Sequence, residues 1–343
     1  MKALFIGLGS IGQRHLQNFI ELRPHYTPAL AYRTSKSNNV IKNGDIVPDK
    51  TLSNYYNILE FTKIEEALDE NPDVAFICNP SYLHMETALR IAENNIHFFI
   101  EKPLAVTTSG IKDLENKINK NKLINMVGYQ TRFNPAVIEA NDIISSLKYG
   151  KIISAEFKWC TYLPDHHPYE DYRNGYAARK DLGGGVIFCL IHELDIIQWF
   201  FGCPISVYAV KGAQSKLEMD VEDDVSAILE FKYDSSVFPL NLHLSFSQKV
   251  EERYFNVLMQ DALLKVNLVT NEIEIIENNK NFHYHQKYDN LDRNSFFKQE
   301  LEEFIKACEN NEKTSIPVSE GKKSIIIATA LHESIRNNKR IRI

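Results

Sequence analysis

The hydrophobic pattern of the first 130 residues alternates between two periods. Short continuous apolar runs, KALFIGLG, PALAYR, DVAFICNP, IHFFIEKP and LINMVGYQ, end in turn residues and read as buried strands. Helical spacing fills the gaps between them. IGQRHLQNFIELR is expected to turn Ile11, Phe19 and Ile20 toward a core, IEEALDENP closes at Pro72, and METALRIAENN packs on its small residues Ala88 and Ala92. GIKDLENKINKNK is a polar helix, and residues 34–50 show neither period. Strands alternating with helices of this length predict an α/β fold with a parallel sheet and right-handed crossovers.

After residue 128 the pattern changes. PAVIEANDIISSLK reads as a helix and IISAEFKWCTYL as a long strand, and residues 205–276 are mostly strand. VSAILEF alternates strictly, with Val225, Ala227, Leu229 and Phe231 on one face; LNLHLSF does the same with Leu240, Leu242, Leu244 and Phe246. Period two in consecutive segments predicts a half-buried antiparallel sheet. Helices over about 294–310 and 318–337 close the chain. The expected division is a dinucleotide-binding domain at 1–127 and an α+β domain at 128–343, with the last helix free to return to the first domain.

Bulk composition narrows the classes. The 343 residues are 44% hydrophobic and 24% charged, a globular balance sufficient for two domains. A net charge of −6 gives no support to nucleic-acid binding. Five cysteines with no CxxC pair argue against a disulfide framework or a cysteine zinc site, and for a reducing compartment. The N-terminal run is too short and glycine-broken for a signal peptide, and no run reaches the roughly 20 residues of a membrane span. A cytoplasmic protein with no membrane partner is expected.

GLGSIG places Gly7, Gly9 and Gly12 in GxGxxG spacing between a strand and a helix, the context that gives the motif meaning. Gly7 permits a tight turn, Gly9 lets backbone approach a pyrophosphate, and Gly12 lets helix and strand pack closely. Ser10 and Ile11 open the helix whose N-terminal amides face that anion. At the end of the second strand, where an NAD site usually carries an acid, stand Tyr32, Arg33, Thr34 and Ser35. An arginine binds a 2′-phosphate, so NADP is preferred over NAD as cofactor.

Ligands in such sheets sit outside the carboxyl ends of the strands. The third strand ends in Cys78, Asn79 and Pro80, with His84 opening the next helix; the fourth ends in Glu101, Lys102 and Pro103. Asn79, Pro80, His84, Glu101 and Lys102 are therefore cofactor-site candidates, and the Lys102 ammonium is placed to hold or deprotonate a substrate hydroxyl. Further on, GGGVIFCLIHELDIIQWFFG is so apolar that its polar members stand out. As one helix it would put Cys189, His192 and Asp195 on one face.

The loop TYLPDHHPYEDYRNGYAARKD precedes it. Asp165, His167, Tyr172 and Arg173 there suit a polyhydroxylated or anionic ligand. Tyr129 and Arg132 in GYQTRFNP are further substrate candidates, Arg132 with the equal alternative of pairing a carboxylate. Neither the DHH triplet nor His283 and His285 is read as a metal site, because neighbouring residues rarely converge on one ion.

The pieces GLGSIGQRH, NPSYLH, EKP, GYQTRFNP and GGGVIFCLIHELD, in that order, resemble the glucose–fructose oxidoreductase, inositol dehydrogenase and MocA-like (Gfo/Idh/MocA) family over essentially the whole length. The resemblance implies a Rossmann domain, a C-terminal domain with a large, mostly antiparallel open sheet that forms a homodimer or homotetramer, and NAD(P)-dependent hydride transfer to or from a sugar-type or cyclitol carbon. It makes Lys102 similar to the family's catalytic lysine and His192 to its catalytic histidine. Cys189 stands where the family has an aspartate. The YLPDHHPYEDYR pattern is similar to a branch associated with bacterial surface-sugar metabolism. The competing expectation, motivated by Cys189, is a cofactor-binding sensor or scaffold without turnover.

Overall fold

A computed structural model describes the chain apart from residues 27, 35–38, 43–44, 167, 169, 214, 234–235 and 279–282. It divides into two compact units, one built mainly from Met1–Gln130 and Arg293–Lys322, the other mainly from Asp171–Asp292 with Lys323–Ile343 and the residues just after Gln130.

In the first unit, strands β1 (Ala3–Ile6) and β2 (Ala29–Tyr32) are followed by a small hairpin of β3 (Val40–Lys42) and β4 (Asp45–Val47), then β5 (Ile58–Phe61), β6 (Val74–Ile77), β7 (His97–Glu101) and β8 (Asn125–Gly128). Six of these form one all-parallel sheet in the order β5-β2-β1-β6-β7-β8. The connecting helices are α1 (Ser10–Leu22), α2 (Leu52–Tyr56), α3 (Ile64–Asp69), α4 (His84–Glu93) and α5 (Ile111–Asn121). The hairpin, α2 and the edge strand β5 lie where the sequence shows no clear period. β5 has only one buried residue, Ile58, so no apolar run marks it.

Continuous burial of β1 and β6 explains their unbroken apolar runs: every residue of both is inside. Phe5 stacks on Phe76 at 4.6 Å, and Phe304 meets both Phe76 and Phe99 edge to face. The inward side of α1 is Gly12, Gln13, His15, Leu16, Asn18 and Phe19, while Ile11 and Ile20, expected inside, lie at its margin. Gly12 has to face the sheet for the close approach described below, and this rotates the isoleucines outward.

The second unit holds α6 (Pro135–Ser146), β9 (Ile152–Tyr162), α7 (Val186–Cys189), α8 (His192–Phe201), β10 (Ser206–Lys211), β11 (Asp224–Tyr233), β12 (Ser236–Ser245), β13 (Ser247–Met259), β14 (Ala262–Asn267), β15 (Glu272–Glu277), β16 (His283–Lys287) and β17 (Ile341–Arg342). Nine strands make one sheet, β16-β15-β14-β13-β9-β12-β11-β10-β17, antiparallel except where β12 runs parallel to β9. The two alternating sets of apolar residues predicted on β11 and β12 are all buried. Phe200 and Phe201 of α8 pack on Phe157, Phe255, Phe231 and Phe238 of that face.

Helix α9 (Arg293–Asn310) belongs to the first unit although it follows this sheet in sequence, and the division falls within α10 (Val318–Asn337). The C-terminal part of α10 is tied to β10: Ser334 Oγ accepts from the Ala209 N–H at 2.9 Å. No single described helix is long and apolar enough to cross a membrane. None of the five cysteines forms a disulfide.

Candidate active site

The glycine turn of the first unit is built by contacts that no side chain could occupy. Gly7 takes φ of +90°, and a Cβ there would lie 2.8 Å from the Asn79 backbone and the Cys78 carbonyl oxygen. A Cβ on Gly12 would lie 2.1 Å from the Gly7 carbonyl oxygen. Gly9 is different: no atom of the described residues stands within 4 Å of its Cβ position. Two glycines therefore close the turn and the third leaves open space beside the start of α1. That helix has no side-chain cap and no acid in its first turn, so its positive end, at Ser10 and Ile11, is available to an anion. These features fit a bound pyrophosphate.

Gln13 was not anticipated. Its Nε2 donates to the Leu8 and Asn39 carbonyls at 3.1 and 3.0 Å, and its Oε1 accepts from the Ile41 N–H at 2.7 Å, lacing the turn to the hairpin. At the end of β2, Arg33 is 8% exposed and donates to Glu60 Oε2 at 3.0 Å. Thr34 is exposed, and Ser35 lies outside the described residues.

Asn79 donates to Thr87 Oγ1 at 2.9 Å, and Pro80 beside it is exposed. His84, a cofactor-site candidate, braces two loops. It is 1% exposed, with Nδ1 at 2.7 Å from the Pro103 carbonyl and Nε2 at 2.8 Å from the Asn79 carbonyl. Glu101, also expected at the cofactor, has its carboxylate 2.6 Å from His15 Nε2 and accepting the Lys102 N–H at 3.0 Å. Lys102 is half-buried and Tyr129 fully buried.

In the second unit the apolar run is two helices, bent by 50° between Cys189 and His192. Cys189 ends α7 and His192 begins α8, so the single helical face expected for Cys189, His192 and Asp195 does not form. His192 is 3% exposed, and its ring lies 6.3 Å from Trp159. The glycines ahead of α7 serve the protein's own packing. A Cβ on Gly184 would meet the Tyr176 carbonyl at 2.3 Å, and one on Gly185 the Glu222 carboxylate. Glu222 accepts from the Ile187 N–H at 3.2 Å and so holds the start of α7.

Arg132 pairs with a carboxylate. It is 7% exposed and donates through Nε and Nη2 to the two Asp195 oxygens, each at 2.7 Å. Glu193 binds Arg253 in the same way, and that guanidinium lies 3.8 Å from the Trp159 ring centre. Sequence reasoning missed Glu193 and Arg253, although a charged residue inside so apolar a helix requires a partner.

The polar loop is similarly self-paired. Arg173 makes a bidentate pair with Asp171, which holds the Asp171 carboxyl below its usual range. Tyr172 Oη accepts from the Glu218 N–H at 3.0 Å, and Asp165 is exposed. His167 lies outside the described residues. His283, not read as a metal ligand, pairs with Glu274.

A parallel sheet with an open helix N-terminus behind a glycine turn defines the dinucleotide-binding class of α/β folds. Residues 1–129 match the family described as an oxidoreductase family with an NAD-binding Rossmann fold, and residues 137–260 match the GFO/IDH/MocA C-terminal domain. The chain belongs to the Gfo/Idh/MocA family. The scyllo-inositol 2-dehydrogenase (NAD(+)) of Bacillus subtilis (strain 168) is 26% identical over 206 residues, 60% of this chain and 55% of that protein. The chain thus spans about half the length of the first curated relatives it matches. Among solved structures, levoglucosan dehydrogenase in complex with NADH and levoglucosan aligns with TM-score 0.82 and 18% identity, over 100% of this chain and 99% of the other. The WlbA dehydrogenase from Bordetella pertussis in complex with NADH and UDP-GlcNAcA gives 0.81 and 17%, over 100% and 98%. At these identities the structures speak for the fold.

The histidine brace carries a pH consequence. Burial pushes the His84 imidazole below its ordinary value of 6.5, so the unfolded chain takes up that proton first. His84 therefore favours the native state above about pH 6.5 and loses that contribution as pH falls into the range below it. Thermal unfolding between pH 8 and 5 is expected to show a declining midpoint in the wild type and a shallower decline in His84→Gln; parallel curves would contradict this.

Proposed function

We propose that the protein is an NAD(P)-dependent oxidoreductase acting on a CH–OH group of a sugar, sugar derivative or cyclitol. The observation that carries this reading is the open space at Gly9 beside an uncapped α1, followed along the same sheet by Glu101 and Lys102 at the end of β7. Bound nicotinamide supplies a hydride acceptor or donor. Lys102 holds the substrate oxygen and stabilises the negative charge that develops on it. His192 takes or returns the hydroxyl proton, the role for which histidine is the commonest general acid–base. Relatives named for inositol and levoglucosan support the polyol class. With Arg132 and Arg173 both paired to carboxylates, recognition of a neutral hydroxylated ring is favoured over that of a strong anion. Cysteines that form no disulfide suit a reducing cytoplasm.

The test follows nicotinamide absorbance on mixing the protein with NADH, NADPH or their oxidised forms and a panel of sugars, nucleotide sugars and inositols. Turnover with at least one is expected, and His192→Ala should lower kcat by about 100-fold or more while leaving cofactor affinity within about twofold. Tight cofactor binding with no turnover anywhere on the panel would favour the sensor or scaffold reading that Cys189 motivates. A neutral thiol cannot stabilise an imidazolium as an aspartate does.

NADP remains the preferred cofactor, because Arg33 and the exposed Thr34 end β2 without an acid among residues 32–34. Glu60 already holds part of the Arg33 charge, so the preference is modest. Glu60→Gln is expected to raise NADPH affinity relative to NADH by about fivefold, an amount typical of one charge-assisted hydrogen bond; equal titrations by cofactor fluorescence would contradict the assignment.

The outer face of the nine-stranded sheet exposes Tyr208, Val210, Ile228 and Val237 from adjacent strands. Apolar side chains grouped on a sheet mark an interaction surface, and we assign it to a homodimer or homotetramer. Light scattering should give a multiple of the 39.5 kDa chain, and Ile228→Lys should shift it toward the monomer; an unmodified chain that is monomeric at micromolar concentration contradicts this.

A further inference from the structure

Three ionisable side chains meet inside the first unit: His15 of α1, Glu101 at the end of β7 and Glu300 of α9. Their ligating atoms lie within 4.8 Å of one another. His15 and Glu300 are fully excluded from solvent, and Glu101 is 5% exposed. Glu101 Oε1 lies 2.6 Å from His15 Nε2, and its Oε2 accepts the Lys102 N–H. Among the described residues, neither Glu300 oxygen has a hydrogen-bond donor. Phe99 and Phe297 pack against the His15 ring at 4.9 and 5.9 Å, so the surroundings are apolar.

This geometry does not suit an ion. Two ligands on one metal at about 2.0–2.2 Å sit about 3 Å or more apart. The 2.6 Å between His15 and Glu101 is a hydrogen bond with no space for a cation. A buried carboxylate without a donor, beside a second carboxylate, is strongly disfavoured. The charged groups acting on Glu300 are Glu101 on β7 and Glu303 on α9, both of which disfavour its ionisation; Cys78 after β6 faces Glu101 and Glu300, and the Arg14 guanidinium lies 4.8 Å over the Phe297 ring. Burial first, then Glu101 and Glu303, push the Glu300 carboxyl well above its usual range.

We propose that Glu300 is held as the neutral carboxylic acid, that its O–H donates to the Glu101 carboxylate, and that His15, Glu101 and Glu300 form a proton-sharing unit that positions the backbone of Lys102. Glu101 is then held by donors from three directions, and one of these is the Lys102 peptide itself. No bond is made or broken during turnover; the unit fixes where the lysine starts from. Glu300 is a positioning residue, and its effect on rate rests on the assignment of Lys102 above.

Two measurements test it. Infrared spectroscopy of the resting protein at neutral pH should show the C=O stretch of a protonated, buried carboxylic acid that disappears in Glu300→Gln. This readout needs no substrate, so a failed sugar panel would count against the proposed activity and leave this measurement to decide the inference. Absence of the band in the wild type overturns it.

The kinetic arm compares Glu300→Gln, which keeps a neutral donor, with Glu300→Met, which keeps volume alone. Glu300→Gln should retain kcat within about twofold. Glu300→Met should lose about tenfold or more in kcat, with a displaced pH–rate profile and unchanged NADH affinity, as when a reacting group is misplaced. Equal rates in the two variants would make the site simple packing. An equal loss in both would mean that an ionised carboxylate is required. Either result overturns the proposal, and if Glu300→Met does not fold, the infrared band and Glu300→Gln still decide it.

Discussion

The first unit depends on one close approach, the α1 backbone against the turn that precedes it. With the Gly12 Cβ position only 2.1 Å from the Gly7 carbonyl oxygen, any side chain there would push the helix off the sheet. That contact fixes which face of α1 looks inward, and so carries His15, Asn18 and Phe19 into the core while leaving Ile11 and Ile20 at the edge. It also brings the helix N-terminus to the carboxyl ends of the strands, beside the space that the described residues leave open at Gly9. The buried His15–Glu101 contact follows from the same rotation. Steric necessity at two glycines thus decides the positions of groups a full helical turn away.

A second theme is that most of the charges suggestive of ligand binding are already engaged. Arg132 with Asp195, Arg253 with Glu193, Arg173 with Asp171 and Arg179 with Asp181 are all two-point pairs. The buried pairs are structural commitments, since removing one partner would leave an uncompensated charge in an apolar surrounding. The exposed ones in the polar loop contribute little to stability and mainly neutralise one another.

This pairing also marks what the sequence can and cannot reveal. Strict alternation on β11 and β12 and the glycine spacing after β1 are local signals, and both the strand faces and the turn were legible from them. The edge strand β5 buries too little to leave a pattern, and each strand of the β3–β4 hairpin is only three residues long, too short to show a period. The bend between α7 and α8 was hidden because both helices are buried on nearly every side, so no change of period announces the break. Partners of buried charges are long-range facts: Arg253 stands 60 positions from Glu193. Glu300 was invisible as a functional candidate because its helix has the composition of an ordinary amphipathic one, and only the tertiary contact with Glu101 gives the residue meaning.

The membership of α9 in the first unit has a consequence for how the chain comes to be folded. Phe304 and Glu300 complete a core whose strands all lie before residue 129, yet α9 leaves the ribosome only after the entire nine-stranded sheet apart from β17. The N-terminal sheet must wait, with Phe76 and Phe99 uncovered on one side, while the segment that will cover them is still being made. The β9 strand waits as well, since both of its neighbours, β12 and β13, come from far downstream. Long-range closure of this kind slows folding and exposes apolar surface in the interim. A fragment cut at the apparent end of the dinucleotide-binding half would therefore be missing a wall of its own core.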